Sequence, residues 1–116
     1  MSVLFHIAEQ PLWDAAQASG EYRVPSLDAE GFIHLSTRAQ FVATANRYYL
    51  GRGDLILLEV DESALEDLRY EVSTNDELFP HLYGTLAVSS VIRTHMFLPS
   101  VDGSFCVPAD CGVSTT

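Results

Sequence analysis

Strand-type runs crowd the second half of this chain. LILLEV at 55–60, LRYEV at 68–72 and TLAVSSVIRTHMFLP at 85–99 combine large apolar and β-branched residues, which suit a pleated, half-buried surface. Helical patterns are fewer and mostly earlier. In EQPLWDAAQASG, Pro11 fits a first helical turn, Leu12, Trp13, Ala15 and Ala16 supply an apolar side, and Gly20 is a C-terminal stop. Thr37-Arg38-Ala39-Gln40 has the form of a capping box, and Phe41, Val42, Ala45, Tyr48 and Tyr49 recur behind it at helical spacing until Gly51. Further on, DESALEDL offers one or two helical turns with Asp61 in the capping position. VLFHIA and FIHLS read as early strands, EYRVPSL as an extended piece limited by Pro25, DAEG as a turn and STNDELFPHLYG as a loop.

This order predicts a small α+β domain with a mixed, mainly antiparallel sheet and two main helices. A single domain over 1–98 with an irregular, fraying tail over 99–116 accounts for the chain of 116 residues. A domain of this size buries roughly two-thirds of its unfolded surface and folds without staples. G-x-G-x-x-G and Walker patterns are missing, which argues against a Rossmann-type nucleotide site. The opening MSVLFHIAE has neither a basic region nor a long apolar one, and no run approaches the roughly 20 apolar residues of a membrane span. A cytoplasmic protein with no membrane partner is the expectation. Cys106 and Cys111 are then expected as reduced thiols.

The formal charge is −10, with six arginines and no lysine. Nucleic-acid binding through a broad basic face is therefore not expected, because phosphate contacts dominate that affinity. Nine of the sixteen acidic residues fall between Asp54 and Glu77, a pattern that reads as a solvated face.

The chemistry concentrates on histidine. His6 in LFHIA, His34 in FIHLS and His81 in FPHLYG are each flanked by large apolar residues. A buried imidazole disfavours its charged form and needs partners at both ring nitrogens. One such histidine is ordinarily a satisfied core residue; three in similar settings suggest a shared small-molecule cleft. His95, in IRTHMF, is read as a core histidine. Ser36 and Thr37 stand where a strand passes into a helix N-terminus, a place that welcomes an anion, with Thr37 also needed as the cap. Glu30 and Tyr83 are weaker candidates, as an acid or base and as a pocket wall. Without an H-x-H or H-x-x-x-H pair no metal is expected, although three imidazoles gathered from distant segments would suit zinc. Trp13 is read as core.

Taken together, FHIAEQPLW, GEYRVPSLDAEGFIHLSTRAQ, LILLEVD and FPHLYGTLAVSSV resemble the family catalogued as domain of unknown function 952, over about Phe5 to Phe97. That family is in turn remotely similar to the ADP-ribosyltransferase-like superfamily. The resemblance implies a split, mainly antiparallel α+β fold with a cleft for NAD or an ADP-ribose-like ligand. By position, His6 would contact the nicotinamide-side ribose, and His34 with Ser36 would match the second motif. His81 stands where many transferases carry a catalytic glutamate. The branch that moves a 2′-phosphate from RNA to NAD also relies on histidines, but the acidic charge argues against an RNA substrate. The resemblance thus implies His34 and His81 as catalytic groups, and His6, His34, Ser36, Thr37, His81 and Tyr83 as ligand-binding ones. A non-catalytic metabolite-binding module and a three-histidine metal hydrolase are the alternatives.

Overall fold

A computed structural model describes residues 2–73 and 76–109. The chain runs β1 (Val3–Glu9), α1 (Gln10–Ser19), β2 (Glu21–Tyr22), α2 (Pro25–Glu30), β3 (Ile33–His34), α3 (Phe41–Tyr48), β4 (Leu55–Asp61), β5 (Leu68–Val72), β6 (Leu78–Leu82), β7 (Leu86–Ala87) and β8 (Val91–Phe97). Three antiparallel sheets result, ordered β1-β4-β8, β3-β6-β5 and β2-β7. This is a small α+β domain with few helices. Among the described residues no helix is long and apolar enough to cross a membrane.

The β1-β4-β8 sheet is the middle layer, because side chains alternate across it and both faces are apolar. On one face Leu4 and Ala8 meet Trp13 and Ala16 of α1, Tyr22, and the Ile33, Leu35 and Leu82 side of the second sheet. On the other, Phe5, Ile7 and Leu57 meet Phe41 and Ala45 of α3, together with Phe97 and Phe105. The Phe5 and Phe41 rings stack at 4.7 Å. Trp13 is a core residue, as its sequence context suggests.

Several local expectations hold for their stated reasons. Proline occupies the first turn of α1, and Gly20 closes that helix in the left-handed region at φ 89°, where a side chain would be strained. Asp61 caps a short 3-10 turn at Glu62–Ala64 by accepting from the Ser63 N–H at 3.0 Å.

Others are corrected. EYRVPSLDAE is not simply extended: Pro25 opens a third helix, α2, because its missing N–H costs nothing in a first turn. FPHLYG is not a loop; most of it is β6, the central strand of its sheet. Pro80 is tolerated there because its carbonyl bonds Leu35 just beyond the two paired residues of β3, where little ladder is lost. The proposed capping box forms by half. The Thr37 N–H donates to Gln40 Oε1 at 3.0 Å, but α3 starts only at Phe41, with Gln40 at its N-cap and no side-chain cap bond. Glu59 departs from the solvated acidic face: it is buried against His95.

Residues 99–109 contain no helix or strand, yet Phe105 is 3% exposed. Its ring stacks on Phe97 at 4.7 Å, and its N–H donates to Asn46 Oδ1 at 2.7 Å. That contact ties the segment down. Cys106 is an exposed free thiol, and Cys111 lies outside the described residues. Truncating Phe105 to alanine is expected to cost about 3–5 kcal/mol, the usual range for a buried phenylalanine. Urea unfolding checks this; an unchanged midpoint would show that the segment contributes nothing to the core.

Candidate functional site

The site is built by the crossing of one short segment. Gly31 ends α2 at φ 90°, its N–H donating to Leu27 O at 3.0 Å and Ser26 O at 3.2 Å, and the chain turns into β3. Ile33 and His34 pair with Leu82 and His81. Two residues later Ser36 exchanges both backbone bonds with Phe5, at 2.7 and 2.8 Å. The segment therefore stitches the second sheet to β1 and brings three separated histidines to one place.

Each of the three is held differently. His6 Nδ1–H donates to the His34 carbonyl at 2.7 Å, so Nε2 is the acceptor that receives the Tyr22 hydroxyl at 2.9 Å. Burial holds this imidazole neutral, down at about 4, and the same burial pushes the Tyr22 hydroxyl well above the usual tyrosine range. His34 is the open one, its side chain 51% exposed, with Nε2–H donating to Glu30 Oε1 at 2.6 Å. His81 is buried, with Nδ1 at 2.8 Å from Glu71 Oε1. Its ring stacks on Phe32 at 4.0 Å and lies edge-on to His34 at 5.3 Å.

A cavity of about 900 Å³ opens beside this junction, within the range of small-molecule sites. His6, Tyr22, Glu30, His34, Ser36 and Arg47 are among its lining. Three carboxylates border it, each already engaged: Glu9 with Arg52 at 3.2 Å, Glu30 with His34, and Glu77 with the Gln40 amide at 2.9 Å. The wall is thus more apolar than polar, with Ile7, Leu12, Val24, Leu35 and Phe79 in it, and its charged groups are acidic more often than basic.

Of the residues singled out from sequence, His6, His34 and Ser36 line the cavity, while Thr37, His81 and Tyr83 lie outside its lining. Ser36 is buried and stands five positions before α3, so it does not sit at that helix's N-terminus. The anion subsite expected at Ser36 and Thr37 therefore loses its helix-dipole argument. This arrangement lends the three-histidine metal alternative no support: both His6 nitrogens bond protein partners, and His34 Nε2 bonds Glu30. Among the described residues no group of three or more histidine, cysteine or acidic side chains is arranged to hold a metal ion. His95 is a buried core histidine, paired through Nε2 with Glu59.

The family described as protein of unknown function (DUF952) matches residues 7–94. The chain belongs to that family. The crystal structure of protein CC0527 from Caulobacter crescentus is similar at 37% identity and TM-score 0.84, covering 90% of this chain and 94% of the other. The solution NMR structure of CC0527 gives 39% identity and TM-score 0.80, covering 90% and 91%. No curated protein matches.

In this DUF952 chain, sequence reasoning missed Tyr22, Gln40 and Glu71. Tyr22 sits in EYRVP, which reads only as an extended piece, and nothing local signals that its hydroxyl meets His6. Glu71 was one of many acids. Its position two residues along β5 from the partner of His81 appears only once the register is known.

The His6 arrangement has a pH consequence. The folded ring resists protonation until about pH 4, whereas the unfolded ring takes a proton near 6.5. Between those values the unfolded state binds more protons, so stability falls as pH drops from 6.5 toward 4, by about 3 kcal/mol, and levels off below. Urea denaturation across that window, compared with His6→Gln, should show the steeper slope in the wild type. Equal slopes would contradict it.

Proposed function

We propose that this protein binds a ribosyl-containing small molecule of the NAD or ADP-ribose type in the cavity, with the Glu30–His34 pair serving glycosyl transfer. The observation that carries this reading is the pair itself: a half-exposed imidazole, oriented by a carboxylate at 2.6 Å, on the wall of a ligand-sized cavity. A carboxylate-oriented histidine is an arrangement suited to moving a proton at a hydroxyl. Behind it, the Tyr22 hydroxyl gives its hydrogen to neutral His6, and its oxygen keeps lone pairs to accept from a ribose hydroxyl. Arg47 is the only arginine in the lining among the described residues, and it favours the phosphate end of such a ligand.

In the proposed reaction the C1′–N bond breaks and its electron pair leaves with nicotinamide, leaving an oxocarbenium-like ribosyl centre. An acceptor hydroxyl then bonds C1′, and its proton passes to the Glu30–His34 pair. His34 is the catalytic histidine nearest the cavity, and His81 supports it from the neighbouring strand.

A second reading is a binding module without turnover. His81 is buried under Phe32 where the resemblance to ADP-ribosyltransferases would call for a catalytic glutamate, and this favours it.

Isothermal titration with NAD and ADP-ribose tests both readings. The wild type is expected to bind at least one of them, and His34→Ala to weaken binding by about tenfold or more, the worth of one charge-assisted hydrogen bond. Nicotinamide release over hours marks the transferase, and binding without release marks the module. No heat with either ligand at millimolar concentration overturns the proposal.

A further inference from the structure

The strand register places a second histidine–carboxylate unit one side chain behind the cavity wall. On β6, His81 has His34 as its cross-strand neighbour on one side and Arg69 on the other. Alternation puts Phe79, His81 and Tyr83 on the same face, and Glu71 lies diagonally across from His81. A single oxygen, Glu71 Oε1, accepts from the Tyr83 hydroxyl at 2.7 Å and faces His81 Nδ1 at 2.8 Å. The Arg69 guanidinium lies over the Tyr83 ring at 4.2 Å and bonds Asp67 at 3.2 Å, holding the group from outside.

Those contacts determine which nitrogen carries hydrogen. The Tyr83 and His81 bonds hold the Glu71 carboxyl below the usual carboxylate range, so it is ionised at neutral pH and can only accept. His81 Nδ1 must therefore be the donor, and in the neutral ring Nε2 is left with a lone pair. That Nε2 is buried and has no hydrogen-bond partner among the described residues. Native proteins rarely leave such an atom unmatched, and each instance calls for a reason. A purely structural Glu71–His81 bond gives none, since an apolar residue would fill the space without orphaning a nitrogen.

The surroundings supply one. His34 and Phe79, the cross-strand partner and the next residue on the same face, both line the cavity. The Phe32 ring, half-buried, covers the flat face of His81, stacked on it at 18°, and touches His34 at 4.8 Å and Tyr83 at 5.2 Å; the Nε2 lone pair lies in the ring plane, at right angles to that contact. We infer that Glu71 is a positioning residue that fixes the His81 tautomer, keeping Nε2 as an unspent acceptor for a ligand hydroxyl that enters between His34 and Phe79. The inference rests on the preceding subsection only for the identity of the ligand. It adds a second acceptor for a polyhydroxylated, ribose-like ligand.

The test uses the full chain with 15N-labelled histidine and long-range proton–nitrogen correlation spectra. At neutral pH His81 should show a protonated Nδ1 and a bare Nε2. Glu71→Leu should lose that pattern, and Glu71→Gln, which keeps an acceptor oxygen, should retain it; a merely structural role predicts no such rescue. ADP-ribose, where it binds, should shift the His81 Nε2 resonance. A protonated Nε2 in the wild type, a tautomer indifferent to Glu71→Leu, or bound ADP-ribose that leaves Nε2 unmoved would each overturn the inference. If ADP-ribose does not bind at all, the preceding proposal falls, and the tautomer results still decide this one.

Discussion

Residues 33–36 belong to two hydrogen-bonded ladders at once. Ile33 and His34 pair with β6, and Ser36 pairs with Phe5 of β1. A strand that serves two sheets cannot slip, because a shift of one residue would turn Ile33 and Leu35 out of the core and His34 into it. The His6 ring adds a third tie by donating to the carbonyl between those ladders. The rest of the site follows from this crossing: the cavity opens beside it, and the three histidines meet because their strands meet.

The same geometry explains why four histidines in one small domain behave so differently. His6 spends both ring nitrogens inside the core and is held neutral by burial. His95 is equally buried but faces a buried carboxylate, Glu59, on the opposite face of the middle sheet. His34 alone is substantially exposed, and its partner Glu30 comes from the end of the helix that Gly31 terminates. His81 combines burial with a nitrogen that has no partner among the described residues. Only the last two retain chemistry to offer a ligand, and they stand opposite each other across a single strand pair. By the alternation of the ladder, the Leu35–Pro80 bond makes this pair a non-hydrogen-bonded one, where side chains approach most closely.

Much of the architecture was legible where local chemistry and tertiary packing agree. Pro11 and Gly20 bound α1, LILLEVD is β4, and the apolar flanks of His6 and His81 signalled their burial, though not that of His34. The failures share a cause. In sequence Pro25 reads as the limit of an extended piece and FPHLYG as part of a loop, yet Pro25 opens a helix and Pro80 sits in a strand at a position whose N–H the ladder does not require. Proline marks a missing donor, and only the register shows whether that donor was needed. Thr37 carried the letters of a cap, but a turn intervenes, and the Gln40 amide is drawn instead to Glu77 and Leu78 far along the chain. Tyr22, Glu59 and Glu71 were illegible for the same reason: their partners lie 10 to 36 residues away, and no local pattern encodes a contact of that span.

Membership of the DUF952 family accounts for the fold but names no chemistry, so the functional account stands on the cavity at the strand junction. Amide chemical-shift mapping of the labelled protein during titration with ADP-ribose tests that claim most directly. The account predicts that the largest shifts fall together on His6, Tyr22, residues 34–36 and the Arg47 end of α3. Shifts scattered over the surface, or centred on the β5 edge or the Phe105 segment, would contradict it.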